Sequence, residues 1–416
     1  MSNGFRHNAA VIGSLLLFCS VGLGGWTQLN SGTTADLYSV HFPEGTQVGY
    51  AVGVDLDSLG GEVGLIIKTT DGGTTWVPQA SGTTKALKSV YFKDNSNGFA
   101  VGLAGTAIRT TDGGVTWIPM TVPGSDELTR VQFPENGFVG YIGVHPQAGG
   151  GKIQKTTDGG GSWSSIRVGG TFVTSYSCGM ATDSIGVVFG DSGFIVGNMD
   201  GPQDAQTNAD LVAVAFSPDP TRAYLIGNDS IQGVIRYTDD GGATPWDSVR
   251  CYYPITAWYG VDMPTADVAY ICGAGGRIDV SVSPTDFYRT ITHVTADMHG
   301  VCFPHGADTG YVVGAGGTIL RTYDGGIPWI PGVDEEKGPA IGWAGIRVVS
   351  NPSRHGVAFR SDADVDVVVF DAAGRVVARQ AATKGLNFLP LSKAGVYFVH
   401  EGQAQAQAVR KVVVAR

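Results

Sequence analysis

Charge is what this sequence has least of. Asp, Glu, Lys and Arg make up 15% of its 416 residues, against the ~25% usual for a soluble globular chain. The shortage does not signal disorder, because 43% of the residues are hydrophobic and 17 Phe, 15 Tyr and 8 Trp are enough for a packed core. The charge that remains leans negative, net −10. That sign argues against nucleic-acid or anionic-membrane binding through the global field, and leaves room only for a local basic patch. Long apolar runs are also missing, with one exception. Arg6, the apolar stretch Val11 to Cys19 and the small-x-small sequence Gly22-Leu23-Gly24 read as an export signal over residues 1–24, with the mature chain starting near Gly25. Bulky Phe18 disfavours lipid attachment at Cys19. No other stretch approaches the ~20 apolar residues of a membrane helix, so no stable membrane insertion is expected. Cysteine is sparse. The four that follow the signal, Cys178, Cys251, Cys272 and Cys302, match no zinc or thioredoxin spacing. In an exported chain they allow three disulfide pairings, with buried free thiols as the alternative.

Glycine is what the sequence has in excess. Its 63 residues are roughly twice the usual ~7% share, as expected of many short strands joined by tight turns. Most of the turns repeat. Thr69-Thr70-Asp71-Gly72-Gly73-Thr74-Thr75-Trp76 recurs at Thr110 to Trp117 and Thr156 to Trp163, and in looser form at Thr238 to Trp246 and Thr322 to Trp329. Trp26, Trp76, Trp117, Trp163, Trp246 and Trp329 are spaced 50, 41, 46, 83 and 83 residues apart. Seven periods of about 43 residues fit that span, the length of one four-stranded propeller blade. A second repeat gives the same count. Strand-like segments ending in Gly53, Gly102, Gly143, Gly190, Gly227, Gly273 and Gly314 number seven, and two of them fall in the long gaps, where blades four and six lack the Asp turn.

The chain therefore reads as all-β, a seven-bladed β-propeller over residues 25–333, with inner strands starting near Leu37, Leu87, Leu128, Val173, Leu211, Tyr259 and His299. Each Asp box is expected between the third and outer strands. There its carboxylate accepts bonds from turn N–H groups, the glycines supply positive φ, and the Trp packs between blades. Boxes spaced a blade apart cannot converge on one ligand, so their role is architectural. Trp26 to Gly32 copies Trp76 to Gly82, so either the N-terminal segment or the Trp329 segment closes blade seven, and the N-terminal one is favoured.

The run Gly102 through Ile108-Arg109-Thr110 to Asp112-Gly113-Gly114 and Trp117 resembles the photosystem II stability and assembly factor family of propellers, over residues 26 to about 332. Asp boxes alone are shared with sialidases, xyloglucan-cleaving hydrolases and sortilin-like receptors. The resemblance implies a non-catalytic scaffold that binds its partner through basic residues of the blades. The positions here that match are Lys68, Arg109, Lys155, Arg236 and Arg321, the basic residues before each box. Two of these are Lys, which lacks the planar fork of Arg, and a solvated residue on a third strand is the plainer alternative. The partner expected is an unidentified protein or a surface glycan, bound without cofactor or metal by a monomer.

A secreted glycan hydrolase is the competing reading. It would need two carboxylates at a set separation in a cleft. Asp55, Asp57, Asp191, Asp229 and Asp297 lie on expected face loops, but no pairing follows from the sequence. The sialidase Arg-x-Pro segment and a Gly-x-Ser-x-Gly elbow are both missing. His293, His299 and His305, around Asp297, have no metal-ligand spacing.

Residues 346–416 carry no Asp box. Asn351-Pro352, the hairpin pattern Val368 to Val377 around Asp371 to Gly374, Leu391, Gly395-Val396-Tyr397-Phe398-Val399 and the basic last strand resemble the C-terminal sorting domain of type IX secretion substrates and the related Ig-like modules. The resemblance implies a small Ig-like β-sandwich that directs the propeller to the cell surface. Residues 334–345 would be an accessible linker. If residues 346–416 are a plain Ig-like appendage and not a sorting module, the protein is expected in the periplasm.

Overall fold

The structure is a computed structural model. It describes residues 25–326 apart from 135–136, 148–149, 169–174, 198–200, 206, 250–256, 285 and 291, and, further on, 346–348, 356–361, 363–371, 376–391, 395–401 and 409–414. Seven four-stranded antiparallel sheets follow one another along the chain. Their inner strands are Asp36–His41, Leu87–Phe92, Glu127–Gln132, Ser175–Met180, Asp210–Phe216, Trp258–Thr265 and Met298–His305. These are the seven blades of a β-propeller, and the inner strands begin where the repeat places them. Val173 itself lies outside the described residues.

Six blades take their four strands in sequence order. The seventh takes three, and its outer strand is Thr27–Leu29 from the start of the propeller. Thr27, Gln28 and Leu29 pair antiparallel with Arg321, Leu320 and Ile319. Trp26 anchors this strand, being 7% exposed and donating its indole N–H to Thr290 Oγ1 at 3.0 Å. The Trp329 segment lies outside the described residues.

Each strand is too short to bury its own faces, so the core sits between blades. At three of the junctions three rings build the core. The aromatic at the end of an inner strand stacks on the second strand of the preceding blade: Phe42 on Tyr311 at 4.0 Å, Phe92 on Tyr50 at 3.6 Å, Phe303 on Tyr270 at 3.8 Å. Trp76, Trp117 and Trp26 then stand edge-on to Phe42, Phe92 and Phe303 at 82°, 89° and 83°. Gly49, Gly98, Gly140 and Gly310 make this possible, since a Cβ there would come within 2.3–2.4 Å of the Phe ring.

The same second-strand tyrosines fasten blades to their neighbours. Tyr50 donates to Gly113 O at 2.8 Å, Tyr141 to Asp183 O at 2.8 Å, Tyr270 to Ala307 O at 2.9 Å and Tyr311 to Gly72 O at 2.9 Å. Blade two has Phe99 at this position. There Lys93 Nζ reaches blade three instead, donating to Gly137 O and Gly159 O at 3.1 Å each.

The C-terminal residues form two further antiparallel sheets. Ile346–Val348, Gly356–Ser361 and Gly385–Pro390 make one, and Val376–Ala382, Val365–Asp371, Gly395–Glu401 and Val409–Val414 the other. Val357 and Phe359 from the first sheet share a buried cluster with Val367, Val369 and Val399 from the second. Residues 334–345 and the turn at 372–375 lie outside the described residues. Contact with the propeller is made by Arg360, which ion-pairs with Asp308 and donates to Ala307 O at 3.3 Å, and by Leu386, which packs against the buried cluster around Tyr270 and Phe303.

Among the described residues no disulfide forms. Cys178 and Cys272 are buried free thiols and Cys302 is a half-buried one. Burial pushes the thiols of Cys178 and Cys302 up to about 12 and also raises Cys272, so none of the three is poised as a nucleophile. Cys251 lies outside the described residues.

Candidate functional site

The Asp boxes organise the face on which the basic residues lie. In the first box Asp71 accepts Thr75 N–H at 2.9 Å and the Thr75 hydroxyl at 2.7 Å, while the Thr69 hydroxyl donates to it at 2.8 Å. Asp112 with Thr116 and Thr110, and Asp158 with Ser162 and Thr156, repeat the pattern. Gly72 and Gly73 adopt φ of 66° and 84°, which lets the turn wrap round the carboxylate. The bonds from Thr75 hold the Asp71 carboxyl down near 2, and those from Thr116 do the same for Asp112. These aspartates spend their acceptors on their own turns.

The five basic positions fall into two groups. Lys68, Arg109, Lys155 and Arg321 each sit opposite the second-strand aromatic of their own blade, Tyr50, Phe99, Tyr141 and Tyr311. They occupy blades one, two, three and seven, which are consecutive around the ring. Arg236 is one residue out of this register, since Tyr237 pairs with Tyr224 and Arg236 with Leu225. It stands four residues before Asp240, where the others stand three before their box. The slip turns its side chain inward. Arg236 is buried, and its Nε donates to Ala205 O of blade four at 2.8 Å.

Within the arc the four residues are held differently. Lys68 Nζ donates to Gly113 O of the next box at 2.7 Å, and Arg321 Nη1 to Gly72 O at 2.8 Å while its guanidinium lies 4.5 Å over the exposed Tyr323 ring. Lys155 Nζ lies 5.2 Å over Tyr141. Lys93, which sequence reasoning passed over, adds a fifth cation between blades two and three. Burial, with Arg109 nearby, lowers its pKa. The signal for it was Phe99 standing where five of the other six blades have Tyr. A cleft of about 440 Å3 opens at the junction of blades seven and one, lined in part by Gln47, Gly72, Tyr311 and Tyr323.

The axis carries different chemistry. Asp262 accepts the Phe303 N–H at 2.6 Å and the Met263 N–H at 2.9 Å, and burial pushes its carboxyl up to about 6. Burial holds His41, which accepts the Phe92 N–H at 3.3 Å, down near 4. The acids expected on face loops cap their own turns: Asp57 accepts from Leu59 and Gly61, and Asp229 from Ile231 and Gln232. Asp297 accepts the Gly275 N–H at 2.8 Å. His299 bonds Leu37 O through Nδ1 at 3.0 Å, and His293 is exposed. Among the described residues no three His, Cys, Asp or Glu side chains are grouped to hold a metal.

Fold and face together define an Asp-box propeller with a basic arc across four consecutive blades. Residues 78–175 match the family model described as photosynthesis system II assembly factor YCF48. No curated protein matches the chain. Among solved structures it is similar to YCF48 bound to D1 peptide, at 20% identity and TM-score 0.56, over 73% of this chain and 98% of that one. YCF48 from Cyanidioschyzon merolae is similar at 20% identity and TM-score 0.57, over 72% and 99%. The Cps50 (Swd1) β-propeller domain of Myceliophteria thermophila reaches TM-score 0.53 at 8% identity, over 72% and 99%. These likenesses establish the propeller fold.

Proposed function

We propose that the chain is a non-catalytic scaffold, exported from the cytoplasm, that binds an acidic protein segment on its Asp-box face. The observation that carries this reading is the shared register of Arg321, Lys68, Arg109 and Lys155 on consecutive blades. Such an arc presents positive charge along a curved path, in a chain whose net charge is −10. Arg109 and Arg321 can grip a carboxylate through two N–H groups, whereas Lys68 and Lys155 act as point charges. A YCF48 structure described as bound to D1 peptide supports a peptide as the type of partner. Residues 1–24 would export the protein, and residues 346–416, as an Ig-like sorting domain, would carry it to the surface.

The test is binding of acidic peptides, with free and amidated C-termini, followed by fluorescence anisotropy. The variant combines Arg109→Glu with Lys155→Glu, which leaves the contacts of Lys68 and Arg321 to neighbouring boxes in place. Affinity should drop ten-fold or more, about 1.4 kcal/mol, and the wild-type affinity should weaken with added salt. Peptide binding indifferent to both would refute the arc, and a glycan would then be the partner to pursue.

A further inference from the structure

The fifth Asp box is incomplete in a way that the start of the propeller makes good. In the first three boxes the residue four beyond the Asp supplies an N–H to one carboxylate oxygen and a hydroxyl to the other, through Thr75, Thr116 and Ser162. In the fourth box Thr244 gives both its N–H and its hydroxyl to Asp240 Oδ2, and the Gly242 and Ala243 N–H groups meet Oδ1. In the fifth box that residue is Pro328, which has neither group. The Asp324 carboxylate instead faces the Gly25 nitrogen, at 3.1 Å from Oδ1 and 3.0 Å from Oδ2. One donor nitrogen thus stands midway between two oxygens that elsewhere take two separate donors. An amide has a single hydrogen to offer there. An ammonium has three, and carries the charge that complements the carboxylate.

The sequence independently places a cleavage point at this nitrogen, because Gly22-Leu23-Gly24 is a small-x-small site after an apolar run. We propose that Gly25 is the first residue of the mature protein and that its α-ammonium group is the permanent ion-pair partner of Asp324. An export-linked peptidase would hydrolyse the Gly24–Gly25 bond. Water gives its hydroxyl to the Gly24 carbonyl carbon, the C–N bond breaks, and the Gly25 nitrogen takes up protons to become the ammonium, the Gly24 carboxyl ionising. Trp26 follows directly, so the charge created by processing fastens the strand that closes blade seven. This rests on the export reading above, and the experiment separates the two.

Two proteins ending at Arg416 would be compared, one released from a fusion so that Gly25 is its first residue, the other keeping Leu23-Gly24 in front. Each would be made with Asp324 and with Asp324→Asn. With Asp324 present, the free-amine form should melt about 1–3 °C higher, and the Gln28 and Leu29 amides should exchange about five-fold more slowly. Asp324→Asn should remove both differences. Equal behaviour of the two Asp324 proteins, or a gap that survives Asp324→Asn, would overturn the ion pair. N-terminal sequencing of protein exported by a cell carrying the whole gene tests processing separately. A first residue other than Gly25 would overturn the maturation half whatever the melting data show, and protein retained uncleaved in the cytoplasm would overturn export with it.

Discussion

Single side chains in this propeller titrate in opposite directions, and their pH windows differ. Bonds to the turn hold Asp71 and Asp112 near 2 in the folded state, against about 4 for an unfolded carboxyl. Their stabilisation is therefore complete above about pH 4 and lost as the pH falls toward 2. Thermal unfolding between pH 4 and 2 should show a falling melting temperature, less steep in Asp112→Asn. Asp262 has the other sign. Raised to about 6 by burial, its folded-state carboxyl costs stability as the pH climbs from about 4 to 6. His41, lowered to about 4 from 6.5, costs stability as the pH falls through that same interval, because the unfolded imidazole takes a proton that the folded one refuses. The two slopes oppose each other. Denaturant midpoints should be nearly level from pH 4 to 6.5 in the wild type, fall with rising pH in His41→Gln, and rise with pH in Asp262→Asn. A level profile in both variants would show that neither group is held as described.

At the scale of strands and turns, the inter-blade latches are doubled. The Gly113 carbonyl receives both the Tyr50 hydroxyl and Lys68 Nζ, so Tyr50→Phe alone should cost about 1 kcal/mol. Combined with Lys68→Met it leaves that carbonyl without either donor, and the pair should exceed the sum of the single effects by about 1 kcal/mol in a double-mutant cycle. Trp26→Ala should cost about 3–5 kcal/mol and release Thr27–Leu29 from blade seven, which proteolysis near residue 30 would report. The seven blades, their strand starts and the closing role of Trp26 were legible because Gly and Trp recur at fixed intervals, and each recurrence marks a backbone or packing need. Partnerships across blades were not. Tyr50 reads in sequence as one more strand aromatic, and nothing in its own segment names the Gly113 carbonyl, 63 residues on, as its partner. Arg236 reads as one of the basic set because Thr238 precedes its box as Thr69 precedes Asp71. The single-residue slip that buries it shows only when Tyr237 is seen opposite Tyr224.

For the whole molecule, the C-terminal sheets have their own buried cluster and meet the propeller through Arg360 and Leu386. Removing residues 334–416 should leave a cooperatively folding propeller. On the sorting reading that protein accumulates in the periplasm, and cell-surface labelling equal to the full chain would show that the module directs nothing. The seventh blade has a different consequence, one of timing. Gly25 and Asp324, 299 residues apart, must both be present before the ring can shut, and contacts of such long range are slow to form. A chain emerging N-terminus first therefore carries Thr27–Leu29 as an unpaired edge through the making of six blades. Until Ile319–Thr322 arrives it is an open arc with two exposed strand edges, prone to pair with another copy. Whatever holds the nascent chain must cover its first strand until its last blade has emerged, and chains cut short before Thr322 should be found in aggregates.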